Sequence, residues 1–314
     1  MNWKKGLLFA VSFAILAWVV SFSNPAEVWA RVRDVPWYYF VLFIVPTIVS
    51  NSLRTIRWIG LVGPVKKFSF REAINYQLSG LALSNMTPAR VGEAGKVLLL
   101  KKYEGLPVSK TIQSVIWERL FDLIILLAIS IPFLGLLLGR LEPSLMFLGV
   151  AGSVFVIAVC VVVFVAMRYR RVGMWLLKIV KRVPVVKEHV DEEFMESFYG
   201  TEKFSKGVFA SSTVLSGLTW LADSFAIVII FYLLGISFPV SYIIGGMFLS
   251  VLIGLVSFLP GGIGSSEFSY IVILMLLGLE KEAAAAGVLV GRAFTLGVTI
   301  VWGMIALQYL MWKK

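Results

Sequence analysis

Residues 83–96, LSNMTPARVGEAGK, set Asn85, Pro88, Arg90, Glu93 and Lys96 inside otherwise apolar sequence. A charged side chain near a bilayer centre costs at least ~3 kcal/mol on insertion scales, and Pro and Gly leave backbone groups that only protein or water can satisfy. Arg90 can grip phosphate oxygens through two donors, Lys96 can supply a point charge, and Gly92 lets the backbone approach a ligand closely. A second interruption, LPGGIGSSE at residues 259–267, offers Gly261, Gly262, Gly264 and Glu267. A helix that starts inside the membrane points free N–H groups and a partial positive charge into the site, which suits a phosphate or a carboxylate. Glu93 and Glu267 would compete with such an anion. The roles open to them are capping the helices, holding Arg90 or Arg292, or binding a proton or an amine. Pro-Gly-Gly alone is a common turn. The functional argument comes from recurrence, because Pro88 and Pro260 are each followed by Gly, then Glu, then an apolar helix. Two broken helices in one membrane chain point to a transport site at mid-depth.

Further charges fall within or near apolar runs: Arg54, Arg57, Glu118, Arg119, Asp122, Asp223 and Arg292. Isolated charges are unstable in lipid, so these are expected to face the bundle interior and to pair or line a wet cavity. In the run ERLFD at residues 118–122, Glu118 and Asp122 share a helical face at i,i+4, and Arg119 and Asp122 stand at i,i+3. A structural ion-pair knot and a direct ligand role are equally open for this run. Arg54 and Arg57 are read as snorkelling to the headgroups from the end of a long helix. Asp223 has no local cation and needs a partner from another segment. Arg292 needs an acidic partner, with Glu267 and Glu93 as the candidates.

Other chemistries are excluded. A single cysteine, Cys160, leaves no internal disulfide and no cysteine metal cluster. A single histidine, His189, cannot build a histidine triad or a multi-histidine metal site. No metal or cofactor is expected. The net charge of +11 gives no warrant for nucleic-acid binding, because the surplus follows from membrane-topology bias.

The elements that must position these residues are membrane helices. With 59% hydrophobic and only 15% charged residues, and a mean hydropathy of +0.90, the chain cannot present a soluble surface. The expected fold is an all-α polytopic bundle of about eight transmembrane segments, filling residues 1–314 as one membrane domain. Runs long enough to cross ~30 Å of hydrocarbon lie at 6–23, 36–62, 112–138, 145–167, 207–234, 239–259 and 283–312. Residues 6–23 lack a convincing cleavage site and read as a retained helix. Lys4, Lys5, Lys66, Lys67, Arg71, Lys101, Lys102, Lys110, the 168–206 cluster, Lys313 and Lys314 mark the cytoplasmic side, with both termini inside. Basic residues on both sides of 72–100 make it a re-entrant hairpin with its tip near Thr87 to Glu93. Residues 265–279 are too short to cross, so the break at 260–267 is expected within the membrane. Within the cytoplasmic segment 168–206, residues 172–183 read equally as an amphipathic helix on an anionic leaflet or as an ordinary connector.

Three blocks in order resemble the transmembrane domain of lysylphosphatidylglycerol synthases, a flippase-like family: residues 81–100 with their Asn-x-x-Pro-x-x-x-Gly-Glu core, ERLFD at 118–122, and PGGIG at 260–264 followed by Glu267. The resemblance covers nearly the whole chain. It implies a bundle with re-entrant helices that moves, or helps expose, a polar lipid. Family members that aminoacylate phosphatidylglycerol carry a large soluble domain for which these 314 residues leave no room, so that activity is not expected. The expected function is translocation of an anionic lipid, with phosphatidylglycerol derivatives and polyprenyl-phosphate sugars both compatible. The expected cavity is lined by Arg90, Glu93, Arg119, Asp122, Glu267 and Arg292. The rivals are an intramembrane lipid-phosphate transferase and a non-transporting partner of a glycosyltransferase or lipid-modifying enzyme. A partner enzyme and a homodimer both stay open.

Overall fold

The computed structural model describes residues 17, 20–21, 25–33, 35–85, 87, 91–137, 143–180, 192–200, 204–257 and 259–312. The segment expected at 6–23, together with Pro88, Arg90 and His189, falls largely or wholly outside them. The described helices are α1 (Pro25–Arg33), α2 (Val41–Val62), α3 (Phe70–Asn85), α4 (Gly95–Glu104), α5 (Val108–Leu136), α6 (Pro143–Arg168), α7 (Arg170–Val180), α8 (Glu192–Gly200), α9 (Lys206–Leu233), α10 (Val240–Val256), α11 (Ser265–Leu276) and α12 (Lys281–Trp312). A 3-10 turn, Trp37–Phe40, leads into α2, and another, Val91–Ala94, leads into α4.

The protein is an all-α polytopic membrane bundle. Among the described residues five helices are long and apolar enough to span a bilayer, ending at Val62, Leu136, Arg168, Leu233 and Trp312, and α10 and α11 are shorter apolar helices. Local chemistry sets the boundaries. Ser69 and Glu72 form a reciprocal capping box before α3, with the Ser69 amide donating to Glu72 Oε2 at 3.1 Å and the Glu72 amide to Ser69 Oγ at 3.4 Å. Ser205 caps α9 by accepting the Val208 amide at 3.2 Å. Gly105, with φ at 66°, closes α4 in the left-handed region ahead of Pro107.

Helices α3 and α4 form one hairpin. At its open end the Tyr76 hydroxyl donates to Glu104 at 2.6 Å, and Lys66 pairs with the same carboxylate at 2.6 Å. Farther in, Lys96 Nζ donates to Gln77 Oε1 at 3.0 Å, and at the tip Gly92 leaves no room for a side chain against the Leu83 carbonyl. The arms are therefore antiparallel, and both ends lie on one side. At ~1.5 Å per residue α3 reaches about 24 Å and α4 about 15 Å, short of the ~30 Å hydrocarbon core.

Helices α10 and α11 form a second hairpin from the opposite side. The Tyr270 hydroxyl donates to the Ile243 carbonyl at 2.7 Å near the open end, while Gly254 abuts Ser266 near the tip. An Arg31–Glu280 pair at 2.9 Å ties α1 to the start of α12 at this same end of the bundle. The sequence reading gave residues 239–259 as a full crossing, but α10 stops at Val256 and returns as α11.

The core is packed where small residues let helices close up. Phe231, Phe248, Ile271, Leu274 and the run Ala283 to Ala286 form one cluster joining α9, α10, α11 and α12. A Cβ at Gly303 would collide with Ala82 and the Leu78 carbonyl, so α12 lies directly against α3. Gly303→Val is expected to destabilise the protein by about 1–3 kcal/mol, the range for overpacking, read as lost thermal stability in detergent. By contrast α6 presents Phe147, Val154, Phe155, Val161 and Val162 outward, as a lipid-facing helix does.

Candidate functional site

The tips of the two hairpins touch. The Gly261 amide donates to the Thr87 carbonyl at 3.3 Å, and a Cβ at Gly261 would stand 3.0 Å from the Asn85 carbonyl. Gly261, Gly262 and Gly264 all have positive φ, at 60°, 69° and 89°, a turn that side-chain-bearing residues resist. Gly261→Ala is expected to cost about 1–2 kcal/mol in backbone strain plus the Asn85 clash. Gly235→Ala is the control, because Gly235 has φ at 68° with nothing within 4 Å of a Cβ. The excess loss of thermal stability at Gly261 over Gly235 measures the tip contact.

Six charged side chains form a chain beside this junction. Lys96 bonds Glu118, whose other oxygen lies 3.5 Å from Arg57; Arg57 donates to Asp122 Oδ1 at 2.6 Å; Arg119 lies 3.5 Å from Asp122 Oδ2 and forms an ion pair with Glu93. Three cations and three anions balance. Five of the six are buried, and only Arg119, at 27% exposure, reaches out of the cluster. Lys96 also sits 5.1 Å from the Trp58 ring. Each of these charges alone would be prohibitive in the membrane, and the pairing makes them tolerable.

Arg54 and Arg57 do not snorkel. They lie thirteen and sixteen residues into α2, about 20 and 24 Å from its start, and are buried. Arg54 Nη2 donates to Asp223 Oδ2 at 2.5 Å, and Ser50 bonds the same carboxylate. The missed signal is a polar seam, Thr47, Ser50, Asn51, Arg54 and Arg57, recurring at three- and four-residue intervals on one face of α2.

Above Arg119 lies a cavity of about 160 Å³, room for several waters. Arg54, Arg119 and Arg292 enter its wall with Asp223, Glu267 and Asn85. Of the two acidic candidates for Arg292, the partner is Glu267, at 2.6 Å, and Arg292 also donates to the Gly261 carbonyl at 2.6 Å. Glu267 Oε2 in turn accepts the Gly264 amide at 2.6 Å. One carboxylate thus caps α11 and holds Arg292, so the α11 N-terminus is not open to an outside anion. Asp223 lies seventeen residues into α9, about 26 Å, and Arg292 eleven residues into α12, about 17 Å, which puts both far from the helix ends.

The structure divides the expected lining. Arg119, Glu267 and Arg292 face the cavity, joined by Asn85, Asp223 and Arg54. Glu93, Lys96, Glu118 and Asp122 do not, because the cluster behind Arg119 uses their charges internally. Gly92, Gly261, Gly262 and Gly264 shape the two tips. Among the buried polar atoms of cavity-lining residues that make no hydrogen bond within the protein, Arg292 Nε and Glu267 Oε1 face each other as an ion pair, while the donors Arg119 Nε and Trp220 Nε1 and the acceptor Asn51 Oδ1 have no partner, where nearly all such groups are paired.

The family described as "Lysylphosphatidylglycerol synthase TM region" matches residues 7–303. The chain belongs to that family. Within it the chain is similar over its length to stand-alone proteins: a UPF0104 membrane protein of Methanothermobacter thermautotrophicus, 24% identical with 96% of this chain and 92% of the relative covered, and one of Pyrococcus horikoshii, 26% identical with 97% of each covered. It is also similar to the glycosyltransferase AglD of Haloferax volcanii, 23% identical over 95% of this chain and 53% of that protein. The lysylphosphatidylglycerol synthase TM region of this chain therefore includes both hairpins, the ion-pair cluster and the cavity. It is a multi-pass membrane protein of a family described from the membrane part of a lipid synthase.

Proposed function

We propose that this protein is a lipid translocase of the cytoplasmic membrane, with both termini on the cytoplasmic side, and that its cavity shelters an anionic headgroup while the lipid tail stays in the bilayer. The observation that carries this reading is a cavity inside the helix bundle with three guanidinium groups in its wall and two buried donors left without protein partners. Spontaneous headgroup crossing is slow because polar and charged groups must leave water. A wall of fixed donors lowers that barrier. The Arg54–Asp223 and Arg292–Glu267 pairs keep the cavity wall close to neutral. A phosphate then binds by taking arginine donors from a carboxylate, aided by the free donors of Arg119 and Trp220. The cargo class is a phospholipid such as a phosphatidylglycerol derivative, or a polyprenyl-phosphate-linked saccharide. The protein itself performs no bond chemistry in this reading.

The test is reconstitution into liposomes with headgroup-labelled phosphatidylglycerol or polyprenyl-phosphate sugar, scored by accessibility to an impermeant quencher. Faster translocation than in protein-free liposomes supports the proposal. No acceleration with either lipid contradicts it and leaves a scaffold for a lipid-modifying enzyme. A chemically altered lipid makes the protein a transferase instead.

A further inference from the structure

A second cleft, of about 960 Å³, lies at the basic end of the bundle, outside the mid-depth cavity. It opens between α7 and the ends of α5, α6 and α9. Its rim carries Arg168, Arg170 and Arg171 at the junction of α6 and α7, and Lys206 at the first residue of α9. Glu196 offsets one of these by lying 3.5 Å from Arg170. Arg168, Arg171 and Lys206 have no carboxylate partner among the described residues.

The inner wall is aromatic. The Trp117 ring meets Phe164, Phe204 and Phe209 edge-on, with centroids at 5.7, 5.8 and 5.9 Å. Phe164 and Phe209 remain 40% and 39% exposed, so this wall is not closed by the protein. The vertical order is the informative point. Phe164 lies four residues before Arg168 on α6, and Phe209 three residues after Lys206 on α9. On both helices an aromatic side chain therefore sits about one turn, roughly 4.5–6 Å, deeper than a cation on the same face. Both helices are membrane spans that end at these cations, which puts the cations at headgroup level and the aromatics at the top of the acyl region.

We infer that this cleft binds an anionic phospholipid of the leaflet at that end, with its phosphate on Arg168, Arg171 and Lys206 and the start of its acyl chains against Phe164 and Phe209. A free phosphate has no use for the aromatic wall, and a neutral or zwitterionic lipid has less use for three cations that have no carboxylate partner among the described residues. The cleft's size falls in the range of small-ligand sites. Trp117 immediately precedes Glu118 and Arg119 on α5, so the floor of the cleft and the ion-pair cluster share one helical turn. An occupant therefore sits on the helix that presents Arg119 to the cavity.

Native mass spectrometry of the detergent-purified full chain with dioleoyl phosphatidylglycerol tests this directly. The charge-neutralised variant R168Q/R171Q/K206Q is expected to lose one phosphatidylglycerol-binding event, with affinity reduced at least tenfold. The cavity variant Arg292→Gln is expected to keep that event, which separates this site from the translocation reading. Phe164→Ala, with the cations intact, is expected to weaken the same event. Phosphatidylcholine is expected to bind more weakly, and glycerol phosphate is expected not to compete. Wild-type binding in the triple variant overturns the inference. So does equal binding of phosphatidylcholine, or displacement by glycerol phosphate at matched concentration.

Discussion

Arg57→Ala is expected to lower stability by about 3–5 kcal/mol, the cost of leaving buried charges without their partner. Arg57 touches Asp122, Glu118 and Ser216, and its side chain is fully buried. Removing it leaves Glu118 with only Lys96, and Asp122 with only Arg119, which Glu93 also shares. The surrounding helices cannot admit enough water to solvate them, because Trp58, Phe121 and Leu61 are also buried beside them. Reversible unfolding in mixed micelles reads the loss. A change below about 1 kcal/mol would mean that the cluster is hydrated and that its burial is misplaced. Glu118→Gln is expected to cost less, since its single amide oxygen still accepts from Lys96 and only the longer Arg57 contact is lost.

The second large effect concerns transport rather than stability. Arg292→Ala is expected to slow lipid translocation roughly 10- to 150-fold, on the basis of about 1.5–3 kcal/mol for hydrogen bonds to a charged group. The Gly261 carbonyl loses its Arg292 donor and Glu267 its ion-pair partner in this variant. Arg292→Lys is expected to recover only part of the rate, because an ammonium lacks the planar fork that reaches both partners. Unlike Arg57, Arg292 is 19% exposed to the cavity, so water can replace part of what is lost and the fold is expected to survive. Equal rates for wild type and Arg292→Ala in liposomes, with matched protein incorporation, would remove Arg292 from the site.

The helices were legible because their signal is local. The reading of 112–138 became Val108–Leu136, and 283–312 became Lys281–Trp312, since apolar length alone marks a span. The fate of the charges was most legible where both partners lie close in sequence, as with Arg119 and Asp122, and for Arg292 it narrowed to two acids, of which Glu267 is the partner. Arg57 meets Asp122 across 65 residues and Arg54 meets Asp223 across 169, so nothing in α2 alone distinguishes burial from snorkelling except its polar seam. That the two broken segments meet was expected from the cavity they were to share, but the atoms of the tip contact were beyond reach for a different reason. Thr87 and Gly261 join through backbone atoms, which carry no residue-specific mark, although the Pro-Gly-Gly run did mark a turn there. The pairing of Lys96 with Glu118 and of Glu93 with Arg119 was not legible, because sequence cannot say which charges cancel one another behind the wall.

The central claim is that the two hairpin tips enclose a water-accessible polar pocket at mid-depth. Cysteine accessibility tests it most directly, since Cys160 is the only native cysteine and Cys160→Ser clears the background. In that chain, Asn85→Cys, Ser250→Cys and Thr295→Cys, all at cavity-lining positions, are expected to react with a charged, water-soluble thiol reagent in membranes, while Val161→Cys on the lipid-facing side of α6 stays unlabelled. Labelling at Val161 alone, or at none of the three cavity positions, would contradict the account.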